Sequence, residues 1–241
     1  MSTRLFCDAP LGIGQTLDLD NTAARHLREA LRVREGDPVV LFNGRGGEYD
    51  GTVVGVQRTA VTVRVDAFSD VDRESPLRVR LAQGISRGER MDFTIQKAVE
   101  LGVGALAPLA TERSTVRLDE ARARKRMEHW QGIVRHAAEQ SGRTRLPALE
   151  PVQELSQLLA GPQEAGRFML DPAAKLTFGE ISLPHEVCLA IGPEGGFSPA
   201  ERLHLEAAGF TRIRLGPRTL RTETAALVAL SILQDRAGDL R

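Results

Sequence analysis

Apolar residues recur at two different spacings along the chain, and the first spacing occupies residues 1 to about 70. Val61, Val63 and Val65 alternate with polar residues, and 39–42 is a continuous apolar run. Both patterns predict short strands. Ahead of both runs, apolar residues share one face of a predicted helix over 23–31. Small β-barrels consist of short strands such as these, here with one small helix. A small β-barrel is therefore the fold expected for this region.

A polar segment at 69–76 has the composition of a linker, and the spacing changes after it. Strands now alternate with helices, a pattern that favours a mostly parallel α/β sheet. The sequence therefore predicts two domains, 1–72 and 73–241. Helices are expected at 91–101, 119–140 and 224–234, and strands at 77–81, 167–170, 187–191 and 212–215.

The composition indicates a folded protein without a membrane anchor. The 241 residues are 41% hydrophobic and 27% charged, which is typical of a globular chain. The longest nearly unbroken apolar run, 225–233, is too short to cross a bilayer. The first residues lack the basic start and apolar stretch of a signal peptide. A cytoplasmic location is the expectation.

The charge balance and the few metal-binding side chains restrict the possible chemistry. A formal net charge of zero argues against indiscriminate coating of nucleic acid, but it allows a local basic face. Arginine, which suits phosphates and base edges, greatly outnumbers lysine, although genome composition explains this equally well. Two distant cysteines and no His-Glu-x-x-His motif predict neither a disulfide framework nor a metal site. Cys188, in the middle of an apolar strand, is interpreted as inert packing.

Candidate chemistry lies at three strand ends in the last third of the chain, at 170–173, 191–198 and 215–225, because ligands of open α/β sheets bind beyond the carboxyl ends of strands. The loop at 191–198 is the most informative. Its three glycines surround Pro193, more than a tight turn needs, and they favour close approach of the backbone to a ligand. Ser198 and Glu201 form a capping-box pattern for the next helix, which Gly209 should end. The spacing matches neither a phosphate loop nor a dinucleotide loop.

The loop at 215–225 places charged residues between a strand and an apolar helix. It contains Arg218, Arg221 and Glu223. Polar groups next to the buried start of a helix need hydrogen-bond partners. One interpretation of these residues is therefore a structural salt bridge, with Thr222 or Thr224 capping the helix. The other is a functional site.

Three motifs in this order give a specific resemblance. They are Gly-Pro-Glu-Gly-Gly-Phe-Ser at 192–198, Leu-Gly-x-Arg-x-Leu-Arg-x-Glu-Thr-Ala at 215–225, and Gln-Lys-Ala-Val-Glu-Leu-Gly at 96–102. Matching segments at 42–49, 86–92 and 139–143 extend the resemblance from about residue 5 to 233. The chain resembles the ribosomal RNA small subunit methyltransferase E family, the 16S rRNA uridine-N3 methyltransferases of the SPOUT superfamily.

The resemblance implies a PUA-like β-barrel followed by a SPOUT-type α/β methyltransferase domain with a C-terminal trefoil knot. The residue pattern alone gives no reason to expect a knot, because threaded chains are rare. The family pattern further implies S-adenosyl-L-methionine as cofactor, 16S rRNA of the small ribosomal subunit as partner, and a homodimer whose interface builds the cofactor site. The cofactor-binding residues expected from it are Leu170, Ile191, Gly192, Pro193, Glu194, Gly195, Gly196, Leu215, Gly216, Leu220 and Thr224.

Methylation at uracil N3 requires removal of the N3 proton, which leaves negative charge on the ring. An arginine would stabilise that charge and a carboxylate would take the proton. Arg221 and Glu223 are the first candidates, and Arg143 and Glu139 come next. Residues expected to bind RNA are Arg4, His26, Arg32, Asn43, Arg87 and Arg113. The basic cluster at 122–126 either contacts RNA or only forms the solvent-exposed face of a helix.

Two alternatives remain at this stage. One is a SPOUT ribose 2′-O-methyltransferase, which the loop chemistry alone does not separate from a base methyltransferase. The N-terminal barrel and the 96–102 segment favour the uridine-N3 family. The other is a non-catalytic RNA-binding protein, which the intact glycine loops disfavour.

Overall fold

The computed structural model describes residues 3–19, 21–114 and 119–240. The chain divides into two compact units. The first contains Met1–Glu74 and Ala138–Leu146, and the second contains Ser75–Ala137 and Pro147–Arg241. The division falls inside one long helix, so a short segment of the central chain belongs with the N-terminal residues.

The first unit is built on a five-stranded sheet. Its strands are β1 (Thr3–Phe6), β2 (Thr16–Asp18), β3 (Pro38–Phe42), β4 (Glu48–Val56) and β5 (Val61–Ser69), in the spatial order β1-β3-β4-β5-β2. The β1–β3 pair is parallel and the other pairs are antiparallel. The alternating valines of β5 all point into the core. The strands predicted from the alternation are thus confirmed.

The helical segment of this unit begins as predicted but changes its geometry. Helix α1 covers Asn21–Arg25, and the chain continues as a π-helical turn over His26–Leu31. Arg32 ends the turn with a left-handed φ of 52°. Ala24 and Leu27 are buried against the sheet core. The apolar face predicted the burial of Leu27 correctly, but Leu31, expected on the same face, is exposed. The sequence spacing gives no sign of the widened π-helical turn that contains both residues.

The second unit contains the remaining elements in alternation. Its strands are β6 (Arg78–Gly84), β7 (Ala105–Ala110), β8 (Ala148–Leu149), β9 (Gln153–Glu154), β10 (Gly166–Leu170), β11 (Glu186–Ile191) and β12 (Thr211–Ile213). Its helices are α2 (Glu89–Glu100), α4 (Leu155–Ala160), α5 (Pro199–Ala207) and α6 (Thr222–Ala237), with a 3₁₀ turn at Phe178–Glu180. Helix α3 (Glu120–Ser141) begins in this unit.

The sheet of the second unit is parallel throughout, in the order β12-β10-β11-β6-β7-β8, with β9 paired to β7. The predicted α/β class is therefore confirmed. Strands β10, β11 and β12 are adjacent, so their carboxyl ends open at one edge of the sheet. The loops singled out in the sequence follow these three strands.

Local signals at the helix ends are also confirmed. Ser198 Oγ accepts from Glu201 N at 3.1 Å, and the Glu201 carboxylate accepts from Ser198 N at 2.7 Å. Helix α5 starts at Pro199, and Gly209 follows its end with a φ of 85°.

Helix α6 packs on α2 and β11 and buries Ala226, while several of its apolar residues stay partly exposed. In the described residues, no helix is both long and apolar enough to span a membrane.

Charged residues inside this unit are paired. Arg80, in the middle of β6, donates to both carboxylate oxygens of Glu150 at 2.6 Å and lies 3.5 Å from Glu164. Cys188 is the register partner of Arg80 in β11 and is buried. Burial raises the pKa of the Cys188 thiol to about 12, so this thiol stays protonated at neutral pH. The interpretation of Cys188 as inert packing agrees with this environment.

Candidate active site

A cavity of about 550 Å³ lies at the carboxyl ends of β10, β11 and β12. This volume suits a small organic ligand. The cavity is lined by almost all residues that the sequence predicted to bind a cofactor: Leu170, Ile191, Gly192, Pro193, Glu194, Gly195, Gly196, Leu215, Gly216 and Leu220. Thr224 is exposed in the first turn of α6 and is not among the lining residues.

The loop at 192–196 folds closely against itself and against β6. A Cβ atom added to Gly192 would lie 2.7 Å from the carbonyl carbon of Gly196 and from the nitrogen of Phe197. A Cβ atom added to Gly84, at the end of β6, would lie 2.5 Å from the nitrogen of Pro193. Backbone atoms cannot move aside as a flexible side chain can, so both positions require glycine. The loop thus presents bare backbone to the cavity.

Buried hydrogen bonds tie this loop to β6 and to the start of α6. Thr222 Oγ1 donates to the carbonyl oxygen of Gly192 at 2.7 Å and accepts from Gln83 Nε2 at 2.9 Å. Thr222 and Gln83 are both buried. Thr222 therefore caps no amide of α6, and its hydroxyl instead sets the distance between that helix and the loop.

The carboxylate of Glu194 gives the loop a second attachment. Its Oε1 accepts from the backbone nitrogen of Arg87 and from Arg90 Nη1, both at 3.0 Å. Burial works to raise the pKa of Glu194, but these hydrogen bonds outweigh it and the pKa lies below its ordinary value. Glu194 therefore carries its negative charge at neutral pH.

Arg113 provides a third attachment, since its Nη1 donates to the carbonyl oxygen of Gly195 at 2.9 Å. Glu112, its neighbour, donates its backbone N–H to the buried carboxylate of Glu201 at 2.8 Å. The segment after β7 is thus bonded both to the glycine loop and to the first turn of helix α5, which follows that loop. Three separate parts of the chain hold the loop in place.

Two family models match this chain. The model of the RNA methyltransferase domain matches residues 73–234, which is more than half of the sequence. The chain belongs to the RNA methyltransferase family. The model of the RNA methyltransferase PUA domain matches residues 19–66.

Relatives of known name agree with this assignment. Ribosomal RNA small subunit methyltransferase E of Bacillus subtilis is 34% identical over 236 residues, covering 94% of this chain and 92% of its own. The crystal structure of ribosomal RNA small subunit methyltransferase E from Neisseria gonorrhoeae, bound to S-adenosyl methionine, is 37% identical with a TM-score of 0.93 and full coverage of both chains. A Legionella pneumophila structure with bound SAM is 41% identical, with a TM-score of 0.97 and full coverage.

The methyltransferase therefore has the two-part α/β fold class that the resemblance implied. Its N-terminal part is PUA-like and its larger part is a SPOUT-type α/β domain. The strands β10, β11 and β12 and their loops form the cavity of that second part. The recognised family is thereby confirmed.

The predicted catalytic residues occupy different environments. Arg221 lines the cavity of the methyltransferase and is exposed at the start of α6. Glu223 lies one residue into that helix, and its Oε1 is 3.8 Å from Arg90 Nε. Its Oε2 is buried and has no hydrogen-bond partner among the described residues. In the first unit, Arg143 is buried and forms an ion pair with Glu74, and Glu139 accepts from the backbone nitrogen of Phe6 at 2.8 Å.

The residues predicted to bind RNA also differ in their surroundings. Arg4 is nearly buried, paired with Glu48 at 3.1 Å and stacked over Phe42. Arg32 is exposed, and Asn43 accepts from the backbone nitrogen of Arg45. The side chain of His26 lies outside the described part of the chain. Arg87 and Arg113 are exposed in the second unit, and both contact the glycine loop.

Sequence reasoning did not single out Arg90, Asp171 and Arg202, which also line the cavity. Arg90 lies inside the matched segment at 86–92, so that motif could have indicated it. Asp171 directly follows β10 and is paired with Arg212 at 2.9 Å. In the described residues, no group of three or more His, Cys, Asp or Glu side chains could hold a metal ion. His129 instead pairs with Asp92 at 2.7 Å.

Proposed function

We propose that this methyltransferase uses S-adenosyl-L-methionine to methylate N3 of a specific uridine in 16S ribosomal RNA of the small ribosomal subunit. The observation that carries the proposal is the cavity beside the glycine loop, with Arg221 in its wall. Relatives that match the full chain are named for small-subunit rRNA methylation, and one was solved with S-adenosyl methionine.

The residues around the cavity fit this cofactor. The glycine loop lets a ligand approach the backbone closely, because Gly192, Gly195 and Gly196 line the cavity and carry no side chains. Leu170, Ile191, Leu215 and Leu220 supply apolar walls for a planar base. When bound, the cofactor supplies a methyl group already activated on a sulfonium centre. The protein then has mainly to position the nucleophile.

The uracil ring must lose its N3 proton for N3 to act as a nucleophile. The negative charge that develops spreads over N3 and the two carbonyl oxygens of the ring. We assign its stabilisation to the Arg221 guanidinium, which lies in the cavity wall. We assign the proton to the Glu223 carboxylate, whose buried Oε2 has no hydrogen-bond partner among the described residues. Arg143 is the reserve candidate for the charge-stabilising role.

Two features favour base methylation over the alternative of ribose 2′-O-methylation. The PUA-type region occupies the N-terminal part, and the matched segment at 96–102 covers the end of α2 and the two residues after it. The intact glycine loop and its three attachments argue against a non-catalytic RNA-binding protein, which would have no need of them.

The wider assignment follows the same family pattern. We propose that the methyltransferase acts as a homodimer in the cytoplasm and that residues 1–72 form the RNA-binding domain, with 73–241 as the catalytic domain. RNA contacts are assigned to Arg32 and Asn43 of the first unit and Arg87 and Arg113 of the second. Arg4 and His26 complete the set.

The proposal is tested in cells that lack this protein. Their 16S rRNA is digested with nuclease, and the nucleosides are compared with wild type by mass spectrometry. A single 3-methyluridine should be missing from the mutant and restored by the wild-type gene. Loss of a 2′-O-methylated nucleotide instead would transfer the protein to the ribose-modifying class.

A further inference from the structure

A second cavity, of about 580 Å³, opens next to the cofactor cavity in the same unit. It is lined by Arg87, Gly88, Glu89, Arg90 and Glu194, where α2 begins. Arg90 and Glu194 also line the first cavity. A molecule in either cavity would therefore contact the same ion pair.

Arg90 connects the parts of the site that have to act together. Its Nη1 lies 3.0 Å from Glu194 Oε1 in the glycine loop, and its Nε lies 3.8 Å from Glu223 Oε1 in α6. A guanidinium has five N–H donors, more than these two contacts use. Arg90 can thus hold the loop and the helix and still donate to a ligand.

The lining chemistry of the second cavity complements uracil. The pairing edge of uracil presents O4 as an acceptor, N3–H as a donor and O2 as an acceptor. A pocket that leaves N3 open to the methyl donor must offer donors to both carbonyl oxygens. The cavity provides such donors from Arg87 and Arg90. Cytosine carries an amino group where uracil has O4. Its amino N–H donors would therefore face the N–H donors of a guanidinium, and no hydrogen bond could form there.

We propose that this second cavity receives the target uracil, unstacked from a single-stranded stretch of RNA, with Arg87 and Arg90 donating to its carbonyl oxygens. The inference rests on the uridine specificity proposed above and adds the place where the base is held. Enzymes that modify a base generally take it out of the stack into a pocket, and single-stranded RNA offers such bases at little cost. The shared Arg90–Glu194 wall brings that base next to the methyl donor.

A crosslinking experiment locates the base directly. The nucleotide that the wild-type enzyme methylates is mapped first, and 4-thiouridine is then placed at that position. Irradiation of the complex should yield crosslinks to peptides that contain residues 86–90 or Glu194. Crosslinks found exclusively at other segments of a productive complex would overturn the inference.

A charge reversal at the cavity supplies the matched kinetic test. Arg87 lines the second cavity and not the first, so Arg87→Glu should raise the KM for RNA by roughly tenfold or more, the loss typical of one charged hydrogen bond. The Kd for S-adenosyl-L-methionine should stay within about threefold of wild type, a change below 1 kcal/mol. Arg78→Glu is the control, because Arg78 is an exposed arginine at the opposite end of β6.

The outcomes separate this inference from the proposed function. If Arg87→Glu and Arg78→Glu behave alike, the second cavity is not the base site even though the enzyme methylates uridine. If wild-type enzyme forms no 3-methyluridine at all, the proposed function fails before the variants are compared.

Discussion

At the scale of single residues, the missing side chain of Gly192 is as important as any functional group around the cavity. The position a Cβ atom would take is 2.7 Å from backbone atoms of Gly196 and Phe197. The loop can close on itself only because this position is bare. The closed loop lines the cavity.

Gly192→Ala should therefore weaken binding of S-adenosyl-L-methionine by about tenfold or more. Displacement of the loop backbone gives that factor if it costs as little as about 1.4 kcal/mol of binding free energy. Calorimetry measures the Kd, and circular dichroism checks that the fold persists. Gly132→Ala is the control, because nothing lies within 4 Å of the added atom in α3. That variant should bind normally and gain roughly 0.5–1 kcal/mol of stability. Unchanged affinity in Gly192→Ala would remove the loop from the cofactor site.

Arg221 is the residue for which the account makes its sharpest chemical prediction. Its interaction with the uracil strengthens only as charge develops, so Arg221→Ala should lower kcat more than it weakens cofactor binding. The loss should be roughly a hundred- to a thousandfold. Activity should recover partly as pH rises, because the base then deprotonates with less help.

Single-turnover methylation by Arg221→Ala from neutral to alkaline pH, beside a cofactor titration, checks this prediction. Arg218→Ala is a suitable comparison, because Arg218 lines the same cavity. A collapse of cofactor binding with normal turnover of the bound state would make Arg221 a cofactor or structural residue. The assignment of the charge-stabilising role to Arg221 would then be wrong.

At the scale of elements, one hydroxyl joins the glycine loop to the helix that carries Arg221 and Glu223. Thr222 Oγ1 bonds the carbonyl oxygen of Gly192 at 2.7 Å and takes a hydrogen bond from Gln83. Cofactor loop and proposed catalytic pair are therefore held at a fixed distance. A small displacement of either would misalign the two reactants.

Thr222→Val keeps the shape of the side chain but removes the hydroxyl, and it should lower kcat/KM about five- to a hundredfold, the equivalent of 1–3 kcal/mol for one buried hydrogen bond. Thr222→Ser retains the hydroxyl and should restore most of the activity. Steady-state kinetics and thermal unfolding are measured together. A drop in Tm with normal kcat/KM would show that the hydroxyl only stabilises the fold.

The sequence predicted these elements well where the signal is local. Alternating valines gave β5, and the Ser198–Glu201 pattern gave the start of α5. Helix α2 was expected at 91–101 and covers Glu89–Glu100. The parallel sheet followed from the alternation of strands and helices.

What the sequence missed depends on contacts between distant segments. The bonds from Thr222 to Gly192 and from Arg90 to Glu194 join residues far apart in the chain, and no spacing rule indicates them. Strand β7 was not predicted because Ala105–Ala110 mixes small residues with a proline. The cavity-lining residues were found because the family motifs coincide with strand ends, whereas Asp171 and Arg202 stand outside those motifs.

At the scale of the whole molecule, helix α6 gives a reason to expect a second copy of the chain. It is strongly apolar, yet Leu227, Val228 and Ile232 remain partly exposed. Apolar residues that the chain itself leaves uncovered favour association through a symmetric interface. We propose, from the family resemblance, that this interface adjoins the cofactor site.

Light scattering or sedimentation at micromolar concentration should accordingly report about twice the 26.3 kDa of one chain. Ile232→Glu would place a charge on the partly exposed face of α6 and should shift the protein toward monomer, with loss of methylation. Ser231→Glu, on the neighbouring position, tests whether any charge has that effect. A monomeric wild-type protein that methylates RNA would contradict the homodimer.

We expect this chain to transfer a methyl group to N3 of a uridine in the small-subunit rRNA. The most direct measurement uses purified protein, isotopically labelled S-adenosyl-L-methionine and small subunits from cells that lack the protein. Fragmentation of the labelled nucleoside in the mass spectrometer shows whether the label lies on the base or on the ribose. The label should lie on the base of one uridine, and the labelled nucleoside should co-elute with 3-methyluridine. Label on the ribose, or on any other base, would contradict it.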